Sequence, residues 1–500
     1  MAAGSDLNPV LVRRLAIIVA VPVVALFLGM KIPTQPALAG GLVIFCILVF
    51  LLFARPLLFS LLLLFFLFEA FDLIDVDRYA RIPGLFRAKD LLLFMLVGYT
   101  IAGGALGSLR KGVLRRSRLF APIVALLIFL GFQMWRTHVL MHEQTILLFR
   151  QGRHYLSYGL PLLFILLFRK QKDWKTLDTW CLFFVLLITA LNFLNATVVH
   201  IPFYTSIADV SQDSTVFKSY NPAGLLTYWF FFRRFWMFCH KPNRQHLVWL
   251  GILAFAVTFY FGRANIAGAA IGLAFCALLM PGVVRTRALI TLFISGLFMI
   301  SVTIAATSVA KSVSPGEAVV SITRYFTSTA TDLVNVEGTY YSRVAIDRQR
   351  YPLVKQHPFV GIGFVSVFGE VAFEMWQTGV LPVGTIDTGW LDLMLRLGGV
   401  GTLILLIMLL RGFRLNRSLA RHDLTLEEKG VVLANMTLIV MSTLTIIAGG
   451  ELVWEPGITT IAIALGWTMW IEGKKLDEAT AKTAAGSAPE LVPVTKRMPV

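Results

Sequence analysis

Arg343-Val-Ala-Ile-Asp-Arg-Gln-Arg-Tyr351, His357-Pro358-Phe-Val-Gly361-Ile-Gly363-Phe364 and Asp387-Thr-Gly-Trp-Leu-Asp392-Leu-Met-Leu-Arg396-Leu-Gly-Gly-Val-Gly401 are the runs on which the reading of this chain turns. The first is charged and aromatic, long enough for about three helical turns. The second is a sharp break: the residue before a proline avoids helical geometry, so His357 ends that helix. Polar and aromatic residues follow, and the third run then passes directly into an apolar stretch that ends at Leu410. An Arg-rich, water-side segment is thus tied at its C-terminal end to a membrane helix.

The rest of the composition agrees. The 500 residues are 57% hydrophobic with a mean hydropathy of +0.75, too apolar for a water-soluble chain of this size. Apolar runs near 15–31, 38–54, 57–71, 90–106, 119–136, 154–168, 177–199, 221–238, 247–262, 265–280, 288–309, 389–410, 430–448 and 457–471 read as transmembrane helices, about 12–14 in all. The fold class expected is an all-α polytopic membrane protein with one large external loop near the C-terminal third. It divides into residues 1–309 (membrane helices with short loops), 310–388 (the external loop), 389–471 (C-terminal membrane helices) and 472–500 (a disordered tail, Ala/Ser/Pro-rich from Ala479).

A net charge of +17 in a soluble protein would suggest nucleic acid. Here the basic residues lie mostly in short loops between apolar runs, which is a topology signal. Arg13 and Arg14, Arg110 to Arg118, Arg169 to Lys175, Arg233 to Arg244, Arg285 and Arg287, Arg411 to Arg421, and Lys474 and Lys475 fall in alternate loops. The positive-inside rule places them, and both termini, in the cytoplasm. The loop from Ala310 to Asp387 is nearly neutral and faces outward; its Tyr, Phe and Trp residues give it enough apolar surface to pack. Arg13 and Arg14 before Leu15–Met30 resemble a signal peptide, but no small-residue cleavage site follows, so the segment is read as the first anchor. Cys46, Cys181, Cys239 and Cys276 lie in or at the edges of apolar runs and form no disulfide or metal framework.

Arginines on the outward side carry the chemical interest: Arg153 at the start of a span, Arg263 in Phe-Gly-Arg-Ala-Asn between two apolar runs, Arg343 at the start of the loop helix, and Arg324 within the loop. A lone Arg at a helix end is ordinarily a snorkelling anchor. Several converging on one cavity would instead bind a diphosphate, because the guanidinium fork matches phosphate oxygens bidentately. Lys218, beside Asn221-Pro-Ala-Gly, adds a charge or is simply a solvated surface residue. Asp387 has two readings: an N-cap for the following span, or a general base on a hydroxyl if burial raises its pKa. Asp392 and Arg396, four apart on one helical face, can neutralise each other. His138 and His142, with Glu143, have metal-pair spacing but lack a third ligand, and read as an external loop. No metal site and no nucleotide loop is read; Gly361-Ile-Gly363 is a turn.

Four places resemble the O-antigen ligase and polymerase family of bacterial envelope membrane proteins. Phe217-Lys-Ser-Tyr-Asn221-Pro-Ala-Gly-Leu is similar to its Asn-Pro element, and Thr258-Phe-Tyr-Phe-Gly-Arg263-Ala to its Thr-x-Ser-Arg-Gly turn, with Gly262 in place of Ser. Ser342-Arg343 through His357-Pro-Phe-Val-Gly-Ile-Gly-Phe364 resembles its Arg, helix and Pro-x-x-Gly-x-Gly-Phe sequence. Asp387 to Gly401 resembles its loop-to-helix segment. The resemblance implies a GT-C-like, metal-independent, inverting glycosyltransferase of the bacterial inner membrane that needs no cofactor. Its donor would be a glycan on undecaprenyl diphosphate and its acceptor a lipid-linked repeat unit or lipid A-core; a chain-length regulator is a possible partner. The implied catalytic residues are Asp387, Arg343 and Arg263; the implied substrate-binding residues are Arg153, Lys218, Asn221, Arg324 and His357. Family ligases carry His-Asn where this chain has Asp387-Thr388, and an acidic residue where it has Arg396. That departure favours a polymerase over a ligase to lipid A-core or protein. A lipid-linked glycan transporter is the rival of another class.

Overall fold

The computed structural model describes residues 46–73, 88–106, 116–168, 170–197, 222–260, 263–335, 347–348, 350–365, 389–446, 450 and 452–486. The expected span near 15–31, the first part of that near 38–54, and the residues Lys218, Asn221, Arg343 and Asp387 lie outside them.

The described residues are helical, with no strand among them. In chain order the helices are α1 (Pro56–Leu67), α2 (Ala88–Leu106), α3 (Phe120–Met141), α4 (Thr145–Leu156), α5 (Leu160–Leu167), α6 (Gln171–Thr197) and α7 (Gly224–His240). They continue with α8 (Arg244–Phe259), α9 (Arg263–Leu278), α10 (Gly282–Lys311), α11 (Pro315–Asn335), α12 (Gly389–Leu419), α13 (Leu426–Thr445) and α14 (Glu455–Gly486). Helix centres follow the apolar runs, while local side-chain chemistry sets the ends. Thr425 and Glu428 form a capping box at the start of α13, with the Thr425 amide donating to Glu428 Oε2 at 3.0 Å and the Glu428 amide to Thr425 Oγ1 at 3.3 Å. Asn243 accepts from the His246 amide at 2.7 Å to start α8.

Among the described residues, four helices are long and apolar enough to cross a membrane: Phe120–Leu140, Gln171–Leu194, Gly282–Val309 and Gly389–Leu419. The others fall short in length or apolarity. The run expected as one span near 154–168 is broken by a 3-10 turn at Ser157–Gly159 into α4 and α5. The twelve residues of α1 rise only about 18 Å, against a hydrocarbon core of about 30 Å. The tail also differs from expectation: α14 runs on to Gly486, so residues 472–486 are helical. Alanine is the strongest helix former, and the Lys475–Glu478 pair at 2.8 Å lies along this extension.

α7 is the buried axis. It packs against α13, α8 and α10, and nearly all of its aromatic residues are sequestered. A chain of buried polar groups joins it to three neighbours. Trp229 Nε1 donates to Asn435 Oδ1 at 2.6 Å, Asn435 Nδ2 donates to Thr468 Oγ1 at 3.0 Å, and the Thr468 hydroxyl donates to Asn416 Oδ1 at 3.0 Å. Buried polar groups must be paired, so this chain admits one register of α7, α13, α14 and α12. α10 is the opposite case: Phe293, Ile294 and Leu297 are exposed.

The two ends of the bundle differ chemically. At one end Arg233 pairs with Asp178, which also accepts from Trp467 Nε1 at 2.9 Å. There too Lys175 meets Glu427 at 2.8 Å, Lys474 meets Glu428 at 2.8 Å, and Ser117 donates to Glu472 at 2.7 Å. The segments around 117, 175, 233, 428 and 474 are ones that charge alternation assigns to a common side, and they meet. At the other end lie Lys89, Asp90, Arg153, Glu455 and the turn 357–364.

Candidate functional site

The centre of this second end is a clasp between two parts of the chain that the sequence keeps apart. α12 is interrupted at Gly398, whose φ of 64° and ψ of −174° are outside helical geometry. The freed backbone groups find partners in the turn that follows the short helix 350–356. Gly399 N donates to Pro358 O at 2.8 Å, Val400 N to Phe359 O at 2.9 Å, and Ile362 N to Leu395 O at 2.7 Å. Gly361 N closes the turn on His357 O at 2.9 Å. Two glycines permit this approach. A Cβ on Gly398 would overlap the Gly361 amide nitrogen and the Phe359 carbonyl oxygen, and one on Gly361 (φ 63°) would overlap Leu395 O.

One face of α3 holds the clasp down. Gln133, Arg136 and Thr137, at i, i+3 and i+4, lie on that face. Gln133 Nε2 donates to Arg396 O at 2.7 Å and to Val360 O; Arg136 Nη2 donates to Gly361 O; Phe364 N donates to Thr137 Oγ1 at 3.2 Å. Arg396 and Asp392 form a buried ion pair at 2.8 Å, and Arg396 Nη1 reaches Gln151 Oε1 of α4 at 3.3 Å. The four-residue spacing therefore does neutralise the two charges.

Beneath the clasp, Val354, Ile362, Val365, Leu391 and Leu395 form one small buried cluster. Val365 and Leu391, the one just before and the other shortly after residues 366–388 in sequence, are thus packed together. Trp390 N, donating to Ile446 O at 3.0 Å, ties the start of α12 to the end of α13.

The expected site residues fall in different places. Arg153, expected as a ligand for the diphosphate, is buried on α4 and ion-paired with Asp90, while Lys89 pairs with Glu455. Unpaired charge in such surroundings is costly, and a carboxylate at contact distance lowers that cost. Arg263 begins α9, and Ile266, one turn later, packs on Ile322 of α11, the helix that carries the exposed Arg324. His357 is half-buried and ends the helix 350–356, as its place before Pro358 implies. Asp387, Arg343, Lys218 and Asn221 lie outside the described residues. His138 Nδ1 lies 2.9 Å from Glu143 O, and His142 takes a left-handed conformation at the end of α3; among the described residues no cluster of His, Cys, Asp and Glu is arranged to hold a metal.

Sequence reasoning missed the Gln133–Arg136–Thr137 face and the Lys89–Glu455 pair. The available signal was the presence of ionisable residues at the edges of apolar runs, where each needs a partner.

The fold thus defines an all-α protein with membrane-spanning helices and, at one end, a turn clasped to a broken helix. Compared with known proteins, the sequence matches no family model and no curated relative.

Proposed function

We propose that this protein is a polytopic membrane glycosyltransferase of the bacterial inner membrane. It polymerises oligosaccharide repeat units carried on undecaprenyl diphosphate into O-antigen or exopolysaccharide at the outer face. The observation that supports this reading is the packing of Val365 against Leu391, which flank residues 366–388 in sequence. Asp387 comes two residues before α12 in the sequence. Its carboxylate can orient or deprotonate an acceptor hydroxyl. Arg263 and Arg343, with Arg324 on the helix packed over the first turn of α9, supply guanidinium groups for the donor diphosphate. They stabilise the charge that develops as the glycan–phosphate bond breaks. Direct attack by the acceptor at the anomeric carbon gives inversion. Arg153, committed to Asp90, supports the site from within. Both termini are cytoplasmic in this reading, and ligation to lipid A-core differs only in acceptor.

Buried charge and helix breaks at this end, the Lys89–Glu455 and Asp90–Arg153 pairs and the interruption at Gly398, are also features of transporters, which makes a lipid-linked glycan flippase the second reading. Against it, each of the charges in these two pairs is matched by its partner.

The test is Arg263→Ala and Arg343→Ala, each expected to abolish polymer at unchanged protein level. Normal polymer from both ends the proposal. With purified protein in liposomes and a lipid-diphosphate glycan, elongation supports the enzyme; translocation without bond formation supports the flippase.

A further inference from the structure

α12 changes character along its exposed face. Leu403, Leu406 and Leu410 are followed there by Arg414 and Arg417, so one row of a single helix runs from apolar to basic. Arg411 flanks the row, and Arg421 stands two residues past the helix end; all four arginines are exposed. Among the described residues none of the four is in a salt bridge. Carboxylates at this end of the bundle are engaged elsewhere: Asp178 by Arg233, Glu427 by Lys175 and Glu428 by Lys474. Between Arg411 and Thr425 the chain holds one acidic residue, Asp423, against the four arginines.

Basic residues beside a membrane helix ordinarily do no more than fix its orientation. Two features here go further. The first is their level. Leu410 ends the apolar run of α12, and at about 1.5 Å per residue Arg411, Arg414 and Arg417 stand about 1.5, 6 and 10 Å beyond it. The headgroup layer on each side of a bilayer is about 5–8 Å deep. Helical side chains lean toward the N-terminus, which here means back toward the apolar half, so the long Arg417 side chain also reaches that layer. The second feature is the width of the apolar bed. Phe413 packs against Phe275 of α9, with ring centroids 6.1 Å apart, and Phe275 and Leu278 are themselves exposed. Exposed apolar side chains from two helices therefore adjoin guanidinium groups that no carboxylate neutralises. A phospholipid complements both halves at once, with an acyl chain on the apolar bed and a phosphate among the arginines. An acidic protein segment would match the arginines alone.

The geometry points to a binding surface for an anionic phospholipid. An acyl chain lies along Leu406, Leu410 and Phe275, and the headgroup phosphate is held by Arg411, Arg414 and Arg417, with Arg421 adding to the local potential. This inference does not depend on the glycosyltransferase reading.

The experiment uses the full chain with Cys46→Ser and Leu410→Cys, the new thiol carrying a bimane fluorophore; Cys181, Cys239 and Cys276 are buried and remain. The protein is placed in phosphatidylcholine vesicles with increasing phosphatidylglycerol, one lipid or the other bearing dibrominated acyl chains. Quenching at position 410 gives the local association constant of phosphatidylglycerol relative to phosphatidylcholine. That constant is expected to be about fivefold or more, roughly the factor contributed by one basic residue near an anionic surface, and to fall toward unity in Arg414→Gln with Arg417→Gln. Arg414→Lys with Arg417→Lys keeps the charge and should retain the preference. Lys170→Gln with Lys172→Gln removes the same charge from exposed positions in another connection on that side and should leave it unchanged. A constant near unity in the parent, or an equal fall in both glutamine pairs, overturns the inference. Weak quenching by both lipids means that protein covers the face, and overturns it equally.

Discussion

Gly398→Ala tests the clasp directly. The φ of 64° and ψ of −174° lie in a region that only glycine populates readily, and holding another residue there costs about 1–3 kcal/mol. The added methyl would meet backbone atoms, Gly361 N and Phe359 O, which have no rotamer to change. Overpacking of that kind costs about 1–3 kcal/mol more, for a total of about 2–6 kcal/mol. Even the lower figure reduces the closed-to-open equilibrium constant of the clasp about 30-fold. Gly131→Ala is the matched control: it lies on an exposed face of α3 with nothing within 4 Å of the new Cβ, and gains about 0.5–1 kcal/mol from reduced backbone freedom. Both variants would be heated in detergent and followed by fluorescence-detected size exclusion, with limited proteolysis of the region 357–388 in parallel. Gly398→Ala should melt at lower temperature and be cut faster, while Gly131→Ala should match or exceed the parent. A Gly398→Ala protein with the parent's midpoint and the parent's cleavage rate would refute the account of the break.

Two further outcomes follow from the charges. Asp90→Ala strands Arg153 in a buried site and should cost about 3–5 kcal/mol, whereas Asp90→Ala with Arg153→Ala should cost clearly less than the sum of the single changes; additive thermal shifts would mean that the two side chains do not interact. At the other end, burial pushes the Glu428 carboxyl up, but hydrogen bonds from Lys474 and Thr425 outweigh it and hold the group below the ordinary carboxylate value. A folded-state pKa below the unfolded one stabilises the fold above the unfolded value of about 4.3 and loses that contribution as pH falls. Glu428→Gln should therefore flatten the decline of the melting midpoint on the acid side of that value, and an unchanged slope would count against the Lys474 pairing.

Where helices lie was legible in the chain. Apolar runs such as 177–199 and 288–309 became α6 and α10, because lipid-like surroundings leave the backbone little choice but to bond within its own segment. The pairing of Asp392 with Arg396 was legible for the same local reason, a four-residue spacing on a helix. The α11 helix was missed, although Ser314-Pro-Gly-Glu317 has the spacing of a helix start and the two faces alternate over the following turns. The disordered reading of 472–486 took alanine as a sign of low complexity when it also signals helix. The partner of Arg153 was not legible, because it lies 63 positions away and nothing local marks Asp90 as that partner.

Composition and periodicity by themselves established the class of structure: an apolar, helical chain with basic residues confined to short connections and one long polar interruption. They also flagged the runs 357–364 and 387–401, as parts of an Arg-rich water-side segment tied at its C-terminal end to a membrane helix. Only the three-dimensional arrangement decided that these runs interlock at Gly398, that a single face of α3 secures them, and that Arg153 is occupied by a carboxylate. The reason is physical. Backbone hydrogen bonds within a helix depend on neighbours a few residues away, whereas the partner of a buried guanidinium or of a freed amide is set by whichever distant segment packing brings within about 3 Å of it.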